Sequence, residues 1–400
     1  MAEPEITPIT EWPDWHANPN GGDPFTQDLN APYDKSLLCL RLRHPVLDIR
    51  GYSLYQARTT NPILGDLSLA VFRNVLAQPS MANPDIPDIL YAAFGFTFVS
   101  CTAMILAGAM LERGRLLPTS PIGSGIPADG CTNSVNDFAG SGPVHIASGF
   151  GALAWSMMLG PRVTDTDAVG REKFAHHKPH SPLLMCHGTA FIWFGWSAFN
   201  GTSTANLSLR SIYVVVNTNL AACGGGVGWV LIDYLYKRKF SLVGFCSGSI
   251  AGLVGITPAA GYVPVYVASL IGVLTATCCY YAVKYKHLLS VDGGLDIFAL
   301  HGVGGYVGDL LTGIFADNFV PALEGVSGSS YTGGWWNRNF RQLGLQFAGA
   351  TTAAAWSFVI SCILLFIINK IPGLHLRASE DSEIRGLDIK YLEDVDEEGF

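Results

Sequence analysis

Between residues 89 and 371 the hydrophobic positions fall into long blocks, with none of the period-2 alternation of a half-buried strand. The blocks are Ile89–Leu111, Phe138–Gly160, Pro182–Leu209, Ser211–Ile232, Phe240–Val283, Ile297–Ala316 and Leu343–Asn369. A helix crosses a bilayer with about 20 mostly apolar residues, so each block predicts at least one span. Phe240–Val283 is too long for one and carries Pro258, Gly261 and Pro264 in its middle, which predicts two spans joined by a tight turn. The total is eight. Before residue 89 the best apolar run, SLLCLRLRHPVLDI, is broken by Arg41, Arg43, His44 and Asp48. At roughly 2.5–3.5 kcal/mol per central charge it stays out of the bilayer. The chain therefore divides into a polar N-terminal region (1–88), a helical membrane domain (89–371) and an acidic tail (372–400).

Composition agrees. Charged residues are 14% of the chain, against about 25% in a soluble domain, and the mean hydropathy is +0.30. The net charge of −8 excludes a basic nucleic-acid-binding surface. The nine cysteines are scattered and show no paired CxxC spacing, so neither a disulfide frame nor a metal site is expected. The first 35 residues lack the basic-then-apolar layout of a signal peptide.

Lys and Arg collect on the cytoplasmic side of membrane helices. Arg113/Arg115, Arg162–Lys178, Lys237–Lys239, Lys284/Lys286 and Lys370–Arg377 mark that side here. Strict alternation satisfies all of them except at one place. Both Ile89–Leu111 and Phe138–Gly160 have to run inward, so the chain has to recross between Arg115 and Asp137. The sequence there, LLPTSPIGSGIPADGCTNSVN, is polar and rich in Pro, Gly and Ser.

Chemistry concentrates in two spans. Ile297–Ala316 follows Asp296 and holds His301 among Gly302, Gly304, Gly305 and Gly308. Phe138–Gly160 follows Asp137 and holds His145 among Gly140, Gly142, Gly149 and Gly151. Ionisable groups at that depth are costly and mark function by default. Two glycine-flanked histidines predict a facing pair, because glycine lets helix backbones approach. Gly244, Gly248 and Gly252, and Gly304 with Gly308, repeat at four-residue spacing and predict further close packing. His176, His177, His180 and His187 fall in a polar loop or at a helix start. Asp309 sits mid-span with no evident partner.

The motifs DFAGSGPVHIASG (137–149), FGWSAFNGTS (194–203), GSIAGLVGITPAAGYV (248–263) and DIFALHGVGGYVGDLLTGIFA (296–316), with GLD at 386–388, closely resemble the ammonium transporter (Amt/Mep/Rh) family in its fungal Mep-like form. The resemblance covers about three quarters of the chain. It implies an all-α polytopic membrane bundle with an inverted repeat, N-terminus outside and C-terminus inside, in a plasma-membrane homotrimer. This chain holds about eight of the family's eleven spans. By resemblance His145 and His301 are the twin pore histidines, and Phe94 and Phe199 the stacked pair above them. Ser203, with Phe94, belongs to the outer ammonium site, and Asp137 supports that site. The substrate implied is ammonium, with methylammonium as its analogue, and no cofactor or metal is implied.

The chain departs from the pattern where the first two family spans and the fourth would lie, and after Asp388. The fourth would carry the tryptophan of the outer cage. The expectation is that this chain transports ammonium poorly or not at all. The implied chemistry is specific: aromatic faces hold a cation, an apolar passage favours the neutral molecule, and paired imidazoles relay the proton. The alternatives are an ammonium sensor or a transport-defective subunit of a trimer. An enzyme is not expected, since neither HExxH nor a nucleophile–His–Asp layout occurs.

Overall fold

The structure is a computed structural model. It describes residues 88–111, 113–115, 135–162, 181–289, 292–293, 295–324, 331–385 and 387, with short pieces between 69 and 87 and at 165–166 and 172–173. The region 1–88, where no span is expected, and the segment 116–134, where the chain has to recross, lie outside the described residues apart from those pieces.

Among the described residues, eight long helical elements lie where the apolar blocks predict spans. α1 is Asp88–Ala107. α2, Ala147–Leu159, is preceded without a break by a π-helical turn, Ser141–Ile146. α3 is Pro182–Gly201 and α4 is Leu209–Lys237. The long block resolves into α5, Leu242–Ile256, and α6, Val265–Tyr285, with Pro258, Gly261 and Pro264 in the turn between them. A second π turn, Phe298–Val303, leads into α7, Gly304–Phe315. The last span, α8, is Phe340–Lys370, followed by a short α9, Glu380–Arg385. Among them α1, α4, α6 and α8 are, by length and composition, able to cross a membrane on their own.

Serine caps set several helix starts. Ser181 accepts from the Leu184 N–H with Pro182 at the first turn, and Ser241 accepts from the Gly244 N–H. Ser208 and Ser211 form a reciprocal capping box at the start of α4.

Glycine sets the spacing of α4, α5 and α6, as the sequence predicts. A methyl group on Gly248 would meet the Gly225 carbonyl oxygen and Trp229 at 2.5 Å, and one on Gly308 would meet the Gly255 carbonyl oxygen at 2.6 Å. These backbones touch directly. α1 and α3 differ: Gly95, Gly188 and Gly195 have nothing within 4 Å of an added methyl, and Phe191 and Phe194 are exposed.

One face of the bundle gathers the ends of α1, α2, α6 and α8. Arg115 N–H donates to the Leu376 carbonyl, Ala378 N–H to the Arg113 carbonyl, and Arg377 to the Leu159 carbonyl. Arg162 pairs with Asp292 at 2.7 Å, and Arg113 donates to the Asp292 carbonyl oxygen. The C-terminal ends of α1 and α2 therefore lie on the same face. The two helices run in parallel, as the distribution of positive charge requires.

Candidate functional site

The two predicted histidines meet. His145 Nδ1 lies 3.3 Å from His301 Nδ1, and the ring centroids are 5.3 Å apart. At that distance one imidazole donates and the other accepts, so the contact fixes opposite roles on the two Nδ1 atoms. Both rings are buried, with 1% and 7% of their surface exposed. His145 Nε2 has no hydrogen-bond partner among the described residues.

Each histidine sits in a π turn that continues into an α-helix. A π turn adds a residue to the helix and re-aims the side chains around it, and such turns occur often at functional sites. The approach needs glycine. A methyl on Gly149 would overlap the Gly302 backbone, and one on Gly305 would meet His145 Cβ at 3.0 Å.

Asp137 holds the first π turn from outside. Its Oδ1 accepts from Gly140 N–H (3.0 Å) and Ser141 N–H (2.6 Å), and its Oδ2 from Gly142 N–H (2.8 Å). A carboxylate at a helix N-terminus satisfies N–H groups that otherwise lack partners. Gly140, with φ of 94°, supplies the left-handed residue this cap requires.

The aromatic pair is not the expected one. The ring stacked on Phe199 is Phe98, with centroids 4.5 Å apart and planes inclined by 26°. Phe94 touches Phe98 at 4.7 Å, tilted by 59°, and reaches Phe199 only through it. Phe94 and Phe98 lie one turn apart on the same stripe of α1. The crossing with α3 brings the inner of the two onto Phe199.

Ser203 is half-buried at the end of α3, and its hydroxyl donates to the Phe199 carbonyl at 2.8 Å. With its hydrogen so engaged, the oxygen keeps lone pairs for a further donor.

Trp196 was not singled out from the sequence. Its ring stacks on His145 (centroids 5.1 Å, 28°) and lies edge-on to Phe199 at 6.1 Å. Its Nε1–H donates to Thr257 Oγ1 at 2.9 Å, satisfying the one polar atom of a buried indole. The signal was available: Trp196 precedes Phe199 by three residues, so both lie on one face of α3. The described residues thus form a continuous contact from Phe94 through Phe98, Phe199 and Trp196 to His145 and His301.

Comparison with known proteins places the chain in a family. A family description, Ammonium Transporter Family, matches residues 125–397. Ammonium transporter 1 of Schizosaccharomyces pombe is 44% identical over 353 residues, covering 84% of this chain and 69% of that protein. Ammonium transporter MEP2 of Saccharomyces cerevisiae is 43% identical over 360 residues, covering 86% and 71%. The crystal structure of Candida albicans Mep2 superposes with a TM-score of 0.77 at 43% identity, covering 86% of this chain and 78% of that one. On that extent of match, this chain is a member of the ammonium transporter family.

Proposed function

We propose that this chain moves ammonium across a membrane, along the path from the aromatic stack to the histidine pair. The observation that carries the reading is the His145–His301 contact, two buried imidazoles joined Nδ1 to Nδ1 inside an apolar bundle. Ammonium and potassium are alike in charge and size, so selectivity has to use the N–H bonds. Ser203, with lone pairs free to accept, and the face of Phe94 form the outer recruiting site, with Asp137 supporting it from the neighbouring turn. Beyond Phe98 and Phe199 the path is apolar, which favours NH3 over a desolvated ion. The paired imidazoles hydrogen-bond NH3 and relay the released proton, since each nitrogen donates or accepts according to tautomer. Trp196 holds the His145 ring in plane.

The basic face formed by Arg113, Arg162, Lys286 and Arg377 is cytoplasmic in this reading, which puts Asp137 and Ser203 outside. The chain works in the plasma membrane as a homotrimer, each protomer with its own path. Among the described residues no tryptophan stands with Phe94 and Ser203 to complete an outer cage, so recruitment is weak and uptake slow. Methylammonium uptake into yeast lacking its own ammonium transporters tests this, with surface protein quantified. Saturable uptake above the vector control and below that of a curated relative is expected. Uptake at the vector level with protein at the surface overturns the reading.

A further inference from the structure

The second π turn continues outward into α7, where His301, Gly305 and Asp309 follow at four-residue spacing along one side of the helix. Facing them from the first π turn are His145 and Ser141, also four apart. Gly305 makes the fit: a methyl there would lie 3.0 Å from both His145 Cβ and Ser141 Oγ, and the Ser141 hydroxyl donates to the Gly305 carbonyl at 3.0 Å. Asp309 lies one turn beyond that bond. It is 2% exposed, and its Oδ1 has no hydrogen-bond partner among the described residues.

On the segment facing α7, Asp137 stands four residues before Ser141, whose hydroxyl is given to the Gly305 carbonyl one turn in from Asp309. α8 contributes a neutral amide, Gln346, whose Nε2 donates to the Asp309 backbone carbonyl and not to its side chain. On α5 the Gly255 backbone lies against Gly308, the residue before Asp309. The histidines lie further in. Among the described residues no Lys or Arg pairs with Asp309.

We propose that Asp309 is a proton-holding residue of the transport path, standing in the fold as the neutral acid. Asp137 accepts three backbone N–H bonds and is held as the anion. A second anion at Asp309, buried with an unpaired oxygen, would have neither cation nor N–H donors among the described residues to offset its desolvation. Because the Ser141 hydrogen is engaged with Gly305, its oxygen is free to accept, which suits an Asp309 that donates.

The step moves a proton and no electrons. Asp309 gives its proton inward to the histidine pair as ammonium at the outer site supplies the replacement and continues as NH3, and NH3 recovers a proton at the far end. This role rests on the transport reading above; the site of the proton does not.

The test uses the full chain in lipid, as wild type, Asp309→Asn and Asp309→Glu. Infrared spectra in H2O and D2O should show a deuterium-sensitive carbonyl stretch of a protonated carboxylic acid, absent in Asp309→Asn and displaced in Asp309→Glu. Ammonium-evoked current in proteoliposomes should fall about tenfold or more in Asp309→Asn, at unchanged oligomer size and melting temperature, and be largely kept in Asp309→Glu. An acid band that survives Asp309→Asn overturns the proposal, as does a current whose size and pH profile Asp309→Asn leaves unaltered. If Asp309→Asn does not fold, the glutamate variant decides: a displaced band supports the assignment and an undisplaced one overturns it. A wild-type chain showing the band but no current overturns the relay role together with the transport reading, while the location of the proton stands.

Discussion

The segments carrying His145 and His301 share a construction: an aspartate, a π turn with the histidine in it, a glycine-lined contact with the other segment, and an α-helix beyond. Their aspartates do different work. Asp137 turns both oxygens onto backbone N–H groups and fixes the turn directly. Asp296, in a left-handed conformation with φ of 54°, accepts at its Oδ1 from Lys286 Nζ at 2.5 Å, and its backbone carbonyl accepts from Leu300 N–H. The rings differ too. His145 lies between Trp196 and His301, whereas His301 has no such indole among its described ring contacts. Similar sequence around two residues therefore specified similar backbone, while the partners came from elsewhere in the fold.

The contact between the segments is the place where a single substitution has the largest effect. Gly149→Leu places a side chain where the Gly302 backbone runs. Overpacking costs about 1–3 kcal/mol where side chains yield, and backbone yields less. Loss of surface protein is expected, with a melting temperature well below wild type in whatever is recovered. Normal expression would show that the two segments separate easily.

The aspartates come next. Asp137→Asn removes a charged acceptor from three N–H groups; hydrogen bonds to charged groups are worth about 1.5–3 kcal/mol each. Asp296→Asn removes a partner of a partly exposed lysine, an interaction near the weak end of ion pairs. Thermal melting should rank Asp137→Asn clearly below Asp296→Asn, and the reverse order would mean that the two turns are held alike.

Much of this was legible in the chain. Charge and hydropathy located eight spans and the parallel course of α1 and α2, because membrane insertion is decided by composition over about 20 residues. The glycine spacing located backbone contacts at Gly248 and Gly308, since absence of a side chain is itself a sequence feature. Phe98 was not legible, because Phe94 and Phe98 share a stripe and the α1–α3 crossing chooses between them. Trp196 lay unremarked inside a quoted motif, since an indole in a span is ordinary filler until its neighbours are known. The divergence of Asp137 from Asp296 depends on Lys286, ten residues from Asp296 and on another element.

A smaller effect sharpens the inner end of the comparison. Burial pushes the Asp292 carboxyl up, but hydrogen bonds from the Arg162 side chain and N–H, with the charges of Arg162 and Arg113, outweigh it and hold the group below its ordinary value of 3.8. A depressed carboxyl contributes stability that is present above its unfolded value and lost as pH falls through the folded one. Wild type should melt above Asp292→Asn at neutral pH, and the two curves should converge below about pH 4. Parallel curves down to pH 3 would remove Asp292 from the clamp joining α1, α2 and the segment after α8.

The central claim is that the histidine pair is the conducting element, and ammonium-evoked current in proteoliposomes tests it most directly, comparing wild type with His145→Ala and His301→Ala at matched protein density. Both variants should lose the ammonium response by about tenfold or more, and His145→Ala should also melt lower, because it alone surrenders the stack with Trp196, worth about 0.5–1.5 kcal/mol. A wild-type current that survives removal of both imidazoles, with the same preference for ammonium over potassium, would contradict the account.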